Sequence, residues 1–261
     1  MDIIFIRSLL AVVFAGISCS LIGVFLVSLK ISFLGICMSH SAFLGVLVSL
    51  LVGINPVFGA LAFTLFTAVI LGPVSEKTKV TPETAIGIIF SGIMGTAFLL
   101  IKFIPNSGEA LNYLWGSVLT INSGSVWTLG IISIITALLI CVFYRQIQIV
   151  LFNKILAESF GINARLILYL ILVFCGVVTT ASIGSIGGLL VFSLILNPAL
   201  SAWNLTFSLK KMFAVSVLFG VLACVSGLCI AWHFDLPIGA SIVVVSTLLY
   251  IVSYAFSVKK I

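Results

Sequence analysis

The stretch "LGICMSHSAFLGVLVSLLVG", residues 34–53, decides the fold class, because it contains no Asp, Glu, Lys or Arg. A helix needs about 20 mostly apolar residues to cross the hydrocarbon core of a membrane. The rest of the chain has the same character, since 62% of its 261 residues are hydrophobic and 7% are charged. Soluble proteins are about 25% charged. We therefore predict an all-α, polytopic transmembrane helix bundle, with residues 1–261 forming a single domain.

The same criterion predicts about nine spanning helices along the chain. These are residues 8–29, 34–53, 56–73, 83–103, 125–144, 166–182, 186–201, 212–232 and 238–257. A further apolar stretch, 110–121, is too short to span, and we expect it to lie at the membrane interface with Tyr113 and Trp115 at headgroup depth. The sequences "VGINP", "TASIGS" and "WHFDLP" are then short outer loops.

The basic residues are distributed unevenly over the two faces of such a bundle, ten on one side and two on the other. The ten are Lys30, Lys77, Lys79, Arg145, Lys154, Arg165, Lys210, Lys211, Lys259 and Lys260, and the two are Arg7 and Lys102. The positive-inside rule places the C-terminus in the cytoplasm and the N-terminus outside. The net charge of +6 then reflects membrane topology, and we expect no nucleic-acid partner.

Sequence motifs for soluble-enzyme chemistry are absent. The chain has no G-x-x-x-x-G-K-[ST], no H-E-x-x-H and no G-x-S-x-G, and it has only six acidic residues. We therefore predict a protein that is not an enzyme and holds no permanent cofactor. Because the outer loops are short, a scarce substrate would need a separate protein to deliver it.

The long loop between the fifth and sixth segments contains a short amphipathic helix. Asn153 is a good N-cap and Gly161 a good C′ residue, so Lys154–Phe160 can form two turns. Ile155, Leu156 and Phe160 share one face of that helix. This pattern fits docking to a partner protein or lying on the membrane surface.

Two groups of polar residues lie at or near membrane depth, where such residues are costly and therefore candidates for function. The first is His40 with Cys37 one turn earlier, both of which are zinc ligand types. The second is His233 with Asp235, just before the last segment, where Asp235 could cap a helix that begins at Pro237. For each group, a structural role, hydrogen bonding or capping, is the alternative to metal ligation.

Two features of the seventh segment suggest a packing or gating role. Gly187 and Gly188 permit close helix contact, and Pro198 removes a helical hydrogen bond. Broken helices often mark substrate paths in transporters, whereas a simple kink is the structural alternative.

Six stretches together resemble the membrane permease subunit of the zinc, manganese and iron ABC importers. In chain order they are Gly35–Ser41, Glu83–Ile88, Leu114–Leu119, Phe152–Ile162, Gly188–Ala199 and Asp235–Ser241. The resemblance runs nearly end to end, with the stretches in register. Within the last two, it assigns Asn197, Pro198, Pro237 and Gly239 to structural or gating positions, alongside Gly187 and Gly188.

The resemblance implies a complete transport mechanism. Two copies of the chain would form the pore in the cytoplasmic membrane, and a dimer of ABC ATPases would dock from the cytoplasm. An extracellular or periplasmic metal-binding protein would deliver the ion. The short helix near 153–160 would be the coupling helix, with the contact residues Asn153, Lys154, Leu156, Ala157, Glu158, Phe160 and Gly161. A stand-alone, ion-coupled secondary transporter is the alternative from another class.

One position departs from the family pattern in a way that bears on the metal. The family has an acidic residue next to the glycine that corresponds to Gly35, and this chain has Ile36. Loss of that carboxylate leaves imidazole and the Cys37 thiol as ligands, which favours zinc over harder ions. We therefore expect Zn²⁺ as the transported ion, with Mn²⁺ or Fe²⁺ as the alternative.

Overall fold

The computed structural model describes residues 3–77, 81–104, 108, 112–114, 116 and 121–257, with the side chains of 72–77 excepted. Within these residues the chain is helical and contains no strand. The helices are α1 Ile3–Ser28, α2 Leu34–Val52, α3 Pro56–Lys77, α4 Pro82–Ile101, α5 Ser123–Val142, α6 Tyr144–Phe152, α7 Lys154–Ser159, α8 Ala164–Ile186, α9 Gly188–Leu205, α10 Leu209–Phe234 and α11 Ile238–Ala255.

Eight helices of the described chain are long and apolar enough to cross a membrane, namely α1, α2, α4, α5, α8, α9, α10 and α11. Helix α3 adds a shorter apolar stretch, Pro56–Leu71. The prediction of an all-α transmembrane bundle is confirmed, and its count of about nine differs little from the eight observed spans.

Short connections make most consecutive spanning helices antiparallel, so the bundle has two ends. We call one the α7 end, because it carries the short helix α7. It also holds the turn between α1 and α2 and the first residues of α4, α8 and α10. The opposite end holds the turn between α2 and α3 and the turn between α10 and α11.

Helix α1 lies at the centre of the bundle and packs against α5, α8, α9 and α10. Its residues Gly16 and Gly23 allow this packing. A Cβ at Gly16 would lie 2.7 Å from the sulfur of Cys224 on α10. A Cβ at Gly23 would overlap the backbone carbonyl of Ile195 on α9. In a bilayer, small residues are the usual way for helices to approach closely, because lipid leaves no hydrophobic driving force between them.

Helices α2 and α3 approach each other closely through Gly45 and Gly59. A Cβ added to either glycine would overlap the backbone of the other. One turn away, the Ser41 hydroxyl donates to the Phe63 carbonyl at 2.8 Å and lies 2.6 Å from Thr67 Oγ1. Glycine contact and hydroxyl pairing together fix α2 against α3.

The predicted outer loop "TASIGS" is wrong, because these residues belong to α8. Helix α8 continues to Ile186, and α9 begins at Gly188. The whole connection is Gly187, with φ 84° and ψ 151°, a conformation that only glycine adopts without strain. A single glycine therefore replaces a loop, which the composition of the stretch did not reveal.

Pro198 leaves α9 unbroken. The helix runs through it from Gly188 to Leu205, so the expectation of a broken helix at this position is wrong. The side chain of Asn197 lies beside Pro198 and donates toward Ser246 Oγ at 2.9 Å and Thr247 Oγ1 at 3.1 Å on α11. Ser193 joins this group at 2.7 Å from Ser246. The polar residues near Pro198 therefore connect α9 to α11.

The interfacial segment expected at 110–121 and the stretch Leu114–Leu119 lie mostly outside the described residues. Within them, Asn112–Leu114 is helical. Gly116 has φ 83°, and a Cβ there would overlap the Ile186 carbonyl. This part of the segment therefore packs against the joint between α8 and α9.

The close contact between α2 and α3 predicts that one methyl group added at Gly45 will destabilise the protein. We expect Gly45→Ala to lower the free energy of unfolding in detergent by about 2 kcal/mol, because its methyl would enter the α3 backbone. Gly124→Ala is the matched control, since a Cβ there has only Asn122 Oδ1 within reach, at 3.4 Å. Equal stability of the two variants would contradict the proposed packing.

Candidate functional site

His40 lies two turns into α2, about 9 Å along the helix from Leu34. Its Nδ1 is 2.9 Å from the carbonyl oxygen of Ile36. A carbonyl oxygen can only accept, so Nδ1 carries the proton and donates it. The lone pair of the neutral imidazole is then on Nε2. Metal-binding histidines usually have this arrangement, with the second ring nitrogen fixed by a hydrogen bond.

Phe90 of α4 packs edge-on against the His40 ring, with centroids 5.2 Å apart and an interplanar angle of 84°. Phe90 makes a similar contact with Phe33, at 5.4 Å and 74°. Edge contacts of this kind are favoured by the ring quadrupoles. The hydrogen bond to Ile36 and the contact with Phe90 together restrain the half-buried imidazole.

The other polar residues of the opening motif have structural contacts. Cys37 is completely buried in the main hydrophobic cluster, together with Leu34 and Met38. Ser39 donates to the Gly35 carbonyl at 2.8 Å, and Ser41 bonds to α3. Of the polar side chains in this motif, His40 therefore keeps a ring nitrogen, Nε2, that can bind a ligand.

The second predicted group lies at the opposite end of the bundle from the start of α2. His233 is exposed in the last turn of α10, with its ring edge-on to Phe234 at 5.0 Å. Asp235 is also exposed. Since α10 is about 39 Å long, these residues do not join His40 in one site of a single chain.

The predicted capping role of Asp235 is wrong. Asp235 has φ 52° and ψ 44° and is the C-cap of α10, where its N–H donates to the Ala231 carbonyl. Helix α11 begins at Ile238, so Pro237 is at the N-cap position and not at N1, and it gives no side-chain cap. Aspartate tolerates the left-handed conformation that closes α10, which explains the difference. Gly239 lies half-buried in the first turn of α11.

Three ligands for one metal ion do not occur together in the described part of the chain. No group of three or more His, Cys, Asp or Glu residues is close enough there to hold an ion. A tetrahedral metal site needs four ligands. The described residues of one chain therefore do not form a closed, tetrahedral metal site.

Helix α7 has the caps that the sequence predicted. The Asn153 side chain accepts hydrogen bonds from the N–H groups of Ile155 at 2.9 Å and Leu156 at 3.3 Å. Gly161, with φ 75°, follows the helix. Its N–H donates to Glu158, and the N–H of Ile162 donates to Ala157. These two bonds form a Schellman motif, which explains how a six-residue helix holds its shape.

One side of α7 is buried against neighbouring helices, and the other side is exposed. Ala157 is fully buried in a small cluster with Val150 and Ala164, which attaches α7 to α6 and α8. Phe152, Ile155, Leu156 and Phe160 are exposed to 84%, 76%, 43% and 69%, and we call them the α7 patch. Lys154 and Glu158 are exposed as well. The protein therefore presents an apolar surface on a rigid, capped helix.

Sequence reasoning did not identify Phe90, Phe152 or the role of the Ile36 carbonyl. Phe90 is one of 21 phenylalanines, and nothing in a single sequence distinguishes it. The Ile36 carbonyl follows from helix geometry, since a side chain at position 40 can reach the backbone four residues earlier. The exposure of Phe152 depends on where α6 ends.

Comparisons with known proteins identify the family of the chain. The family model described as "ABC 3 transport family" matches residues 1–257. The manganese transport system membrane protein MntC of Listeria innocua is 31% identical over 254 residues, covering 97% of this chain and 91% of MntC. The chelated iron transport system membrane protein YfeD of Yersinia pestis is 26% identical over 255 residues, covering 96% of this chain and 84% of YfeD.

A solved structure has the same fold. PsaBC from Streptococcus pneumoniae, determined in complex with Fab, superposes with a TM-score of 0.88 at 27% identity. The match covers 99% of this chain and 94% of the other. The resemblance inferred from six short stretches is thereby confirmed over the whole chain. The chain belongs to the ABC 3 transport family and is a membrane permease of the metal-uptake ABC transporters.

Proposed function

We propose that the chain is the permease subunit of an ABC importer that carries Mn²⁺ across the cytoplasmic membrane, with His40 as a ligand on the ion path. The observation that carries this proposal is the hydrogen bond from His40 Nδ1 to the Ile36 carbonyl, 2.9 Å long. It leaves the Nε2 lone pair for a passing cation and fixes the ring. An intramembrane histidine without such a role would be costly to retain.

The choice of Mn²⁺ over the Zn²⁺ expected from sequence has two supports. Relatives that cover nearly the whole chain are named as manganese transport proteins. The Cys37 thiol, which would favour zinc, lies in the hydrophobic core. A passing ion therefore meets an imidazole without a thiol beside it, and imidazole binds many divalent metals.

Zn²⁺ is the second candidate, on the strength of one position. Ile36 lies one turn before His40 and gives the path no carboxylate. A site with imidazole alone binds Zn²⁺ more tightly than Mn²⁺ by the general order of divalent metals. The two candidates therefore differ in a measurable way at position 36.

A second copy of the chain would complete the path. Helix α4 carries Phe90, yet only Ala85, Ile86 and Ala97 of its residues are buried. Its exposed side has Ser91 and Thr96, which bond to their own helix, and small hydroxyl residues of this kind are enriched where transmembrane helices meet. We infer that α4 faces the pore of a homodimer, so that each copy contributes one His40.

The α7 patch is the docking surface for the ATPase in this proposal. Its apolar residues lie on a helix anchored by Ala157, so a push on α7 would reach α8 and the bundle. Basic residues at this end, among them Arg145, Lys210 and Lys211, support a cytoplasmic location for it by the positive-inside rule. The N-terminus is then outside, where a separate metal-binding protein delivers the ion.

Replacing His40 with phenylalanine should distinguish a role in metal binding from a role in packing against Phe90. We expect His40→Phe to keep the edge contact with Phe90 but to lower the initial rate of Mn²⁺ uptake at least about tenfold, because the Nε2 lone pair is gone. The rate is measured in proteoliposomes that contain the ATPase. Ser39→Ala, which removes a hydroxyl bonded within the same helix, is the control and should change uptake less than about twofold. Uptake by His40→Phe at the normal rate would exclude His40 as a ligand.

Position 36 should tune the choice of metal. We expect Ile36→Asp to raise the ratio of Mn²⁺ to Zn²⁺ uptake several-fold, since a carboxylate one turn from His40 adds a hard oxygen ligand on the same helix face. Ile36→Asn, which provides an uncharged oxygen, should raise the ratio of Mn²⁺ to Zn²⁺ uptake less. Uptake of Zn²⁺ but not Mn²⁺ by the unmodified protein would instead establish the second candidate.

The α7 patch should be required for assembly with the ATPase. We expect Ile155→Asp combined with Phe160→Asp to abolish co-purification of the ATPase while leaving thermal stability unchanged, because both side chains are mainly exposed. Phe256→Asp is a matched control, since Phe256 is 76% exposed at the same end of the bundle. If the ATPase still bound the double variant, α7 would be a helix that lies on the membrane surface.

A further inference from the structure

A cavity of about 180 Å³ opens at the α7 end, between the turn that joins α1 to α2 and helices α3, α4, α7 and α8. Most of its wall is aliphatic. This part of the wall is formed by Leu29, Ile31, Leu34, Leu71, Ile86 and Leu172. Pockets for whole drug-sized ligands measure about 300–1,000 Å³. The cavity is therefore too small for a whole lipid, and its aliphatic wall suits a part of an acyl chain.

The polar part of the same cavity is positively charged. Lys154, the first residue of α7, and Arg165, the second residue of α8, both line it. Lys30 lies in the turn between the lining residues Leu29 and Ile31. No acidic residue is among the described residues that line the cavity.

Two long helices also begin at this cavity. Pro82 at the start of α4 and Arg165 at the start of α8 are both lining residues. Helix N-termini carry partial positive charge and attract anions. One first-turn N–H of each helix is already bonded, by the side chains of Thr81 and Asn163. The dipoles therefore add to the charge of Lys154 and Arg165 but do not form a phosphate cradle by themselves.

We propose that this cavity binds one anionic phospholipid, with its phosphate near Lys154 and Arg165 and the start of an acyl chain against the aliphatic wall. Basic pockets between transmembrane helices on the cytoplasmic side bind anionic lipid headgroups in this way. The location in the cytoplasmic leaflet rests on the proposed function, which places the α7 end in the cytoplasm. The basic residues and the apolar wall of the cavity do not depend on which side of the membrane the α7 end faces.

A lipid in this cavity would contact α7 together with the bundle that α7 is proposed to move. Lys154 belongs to α7, whereas Leu34 and Ile86 belong to α2 and α4, the helices that carry His40 and Phe90. The bound lipid would therefore connect the docking element to the helices of the ion path. Such a connection gives anionic lipid a specific place in transport.

Native mass spectrometry of the purified full chain tests the proposal, with phosphatidylglycerol titrated into neutral detergent. We expect one phosphatidylglycerol to stay bound, and phosphatidylcholine to bind far more weakly. Lys154→Gln combined with Arg165→Gln should weaken the apparent affinity about thirtyfold, since each basic residue near the surface contributes roughly fivefold. The control pair, Lys210→Gln with Lys211→Gln, removes the same charge at the same end, away from the cavity, and should change the affinity less than about twofold.

Blocking the cavity tests the apolar wall independently of charge. Leu168→Trp, which narrows the cavity, should weaken phosphatidylglycerol binding, whereas Leu170→Trp, which lies outside the lining, should not. Equal losses in the two charge-deleted pairs would show diffuse attraction and overturn the proposal. Displacement of the lipid by soluble glycerol phosphate would show a simple anion site and overturn it as well. None of these measurements uses metal or ATPase, so their failure would leave the permease assignment intact.

Discussion

Backbone-to-backbone contact through glycine is the constraint on which the bundle depends. In a bilayer, burial of apolar surface between helices gains little, because lipid is itself apolar, so helices associate through close packing and polar contacts. Gly45 and Gly59 bring α2 and α3 together, and Gly23 lets α1 meet α9. Hydroxyl pairs such as Ser41 with Thr67 reinforce the same contacts. The position of α2, and with it the position of His40, follows from these small residues.

The surroundings of His40 follow from that packing. Because α2 is held on one side by α3, its other side can face α4, and there Phe90 restrains the His40 ring. The Ile36 carbonyl fixes the tautomer. At the α7 end, Asn153, Gly161 and Ala157 cap and anchor a helix of six residues. A permease needs both parts, one that meets the ion and one that receives motion from an ATPase. In the proposed function, His40 and the α7 patch take these two roles, and both belong to one packed bundle.

Much of the fold and part of the candidate site were predictable from sequence, because hydropathy, charge placement and capping depend on local composition. The transmembrane class and the caps at Asn153 and Gly161 are of that kind, and the structure confirms them. The single-glycine joint at Gly187 and the C-cap at Asp235 were not predictable, since tertiary packing decides how tightly a chain turns. Cys37 and His40 looked like partners because they lie one turn apart. Their different burial comes from neighbouring helices that one sequence does not specify.

The central claim is that His40 binds the ion during transport, and Mn²⁺ is itself paramagnetic. The chain has two histidines, His40 and His233, so pulsed electron paramagnetic resonance of Mn²⁺ bound to the assembled transporter can identify the ligand. We expect nitrogen modulation from imidazole that persists in His233→Ala and disappears in His40→Phe. Modulation that persists in His40→Phe, or is absent from the unmodified protein, would exclude His40 as the ligand.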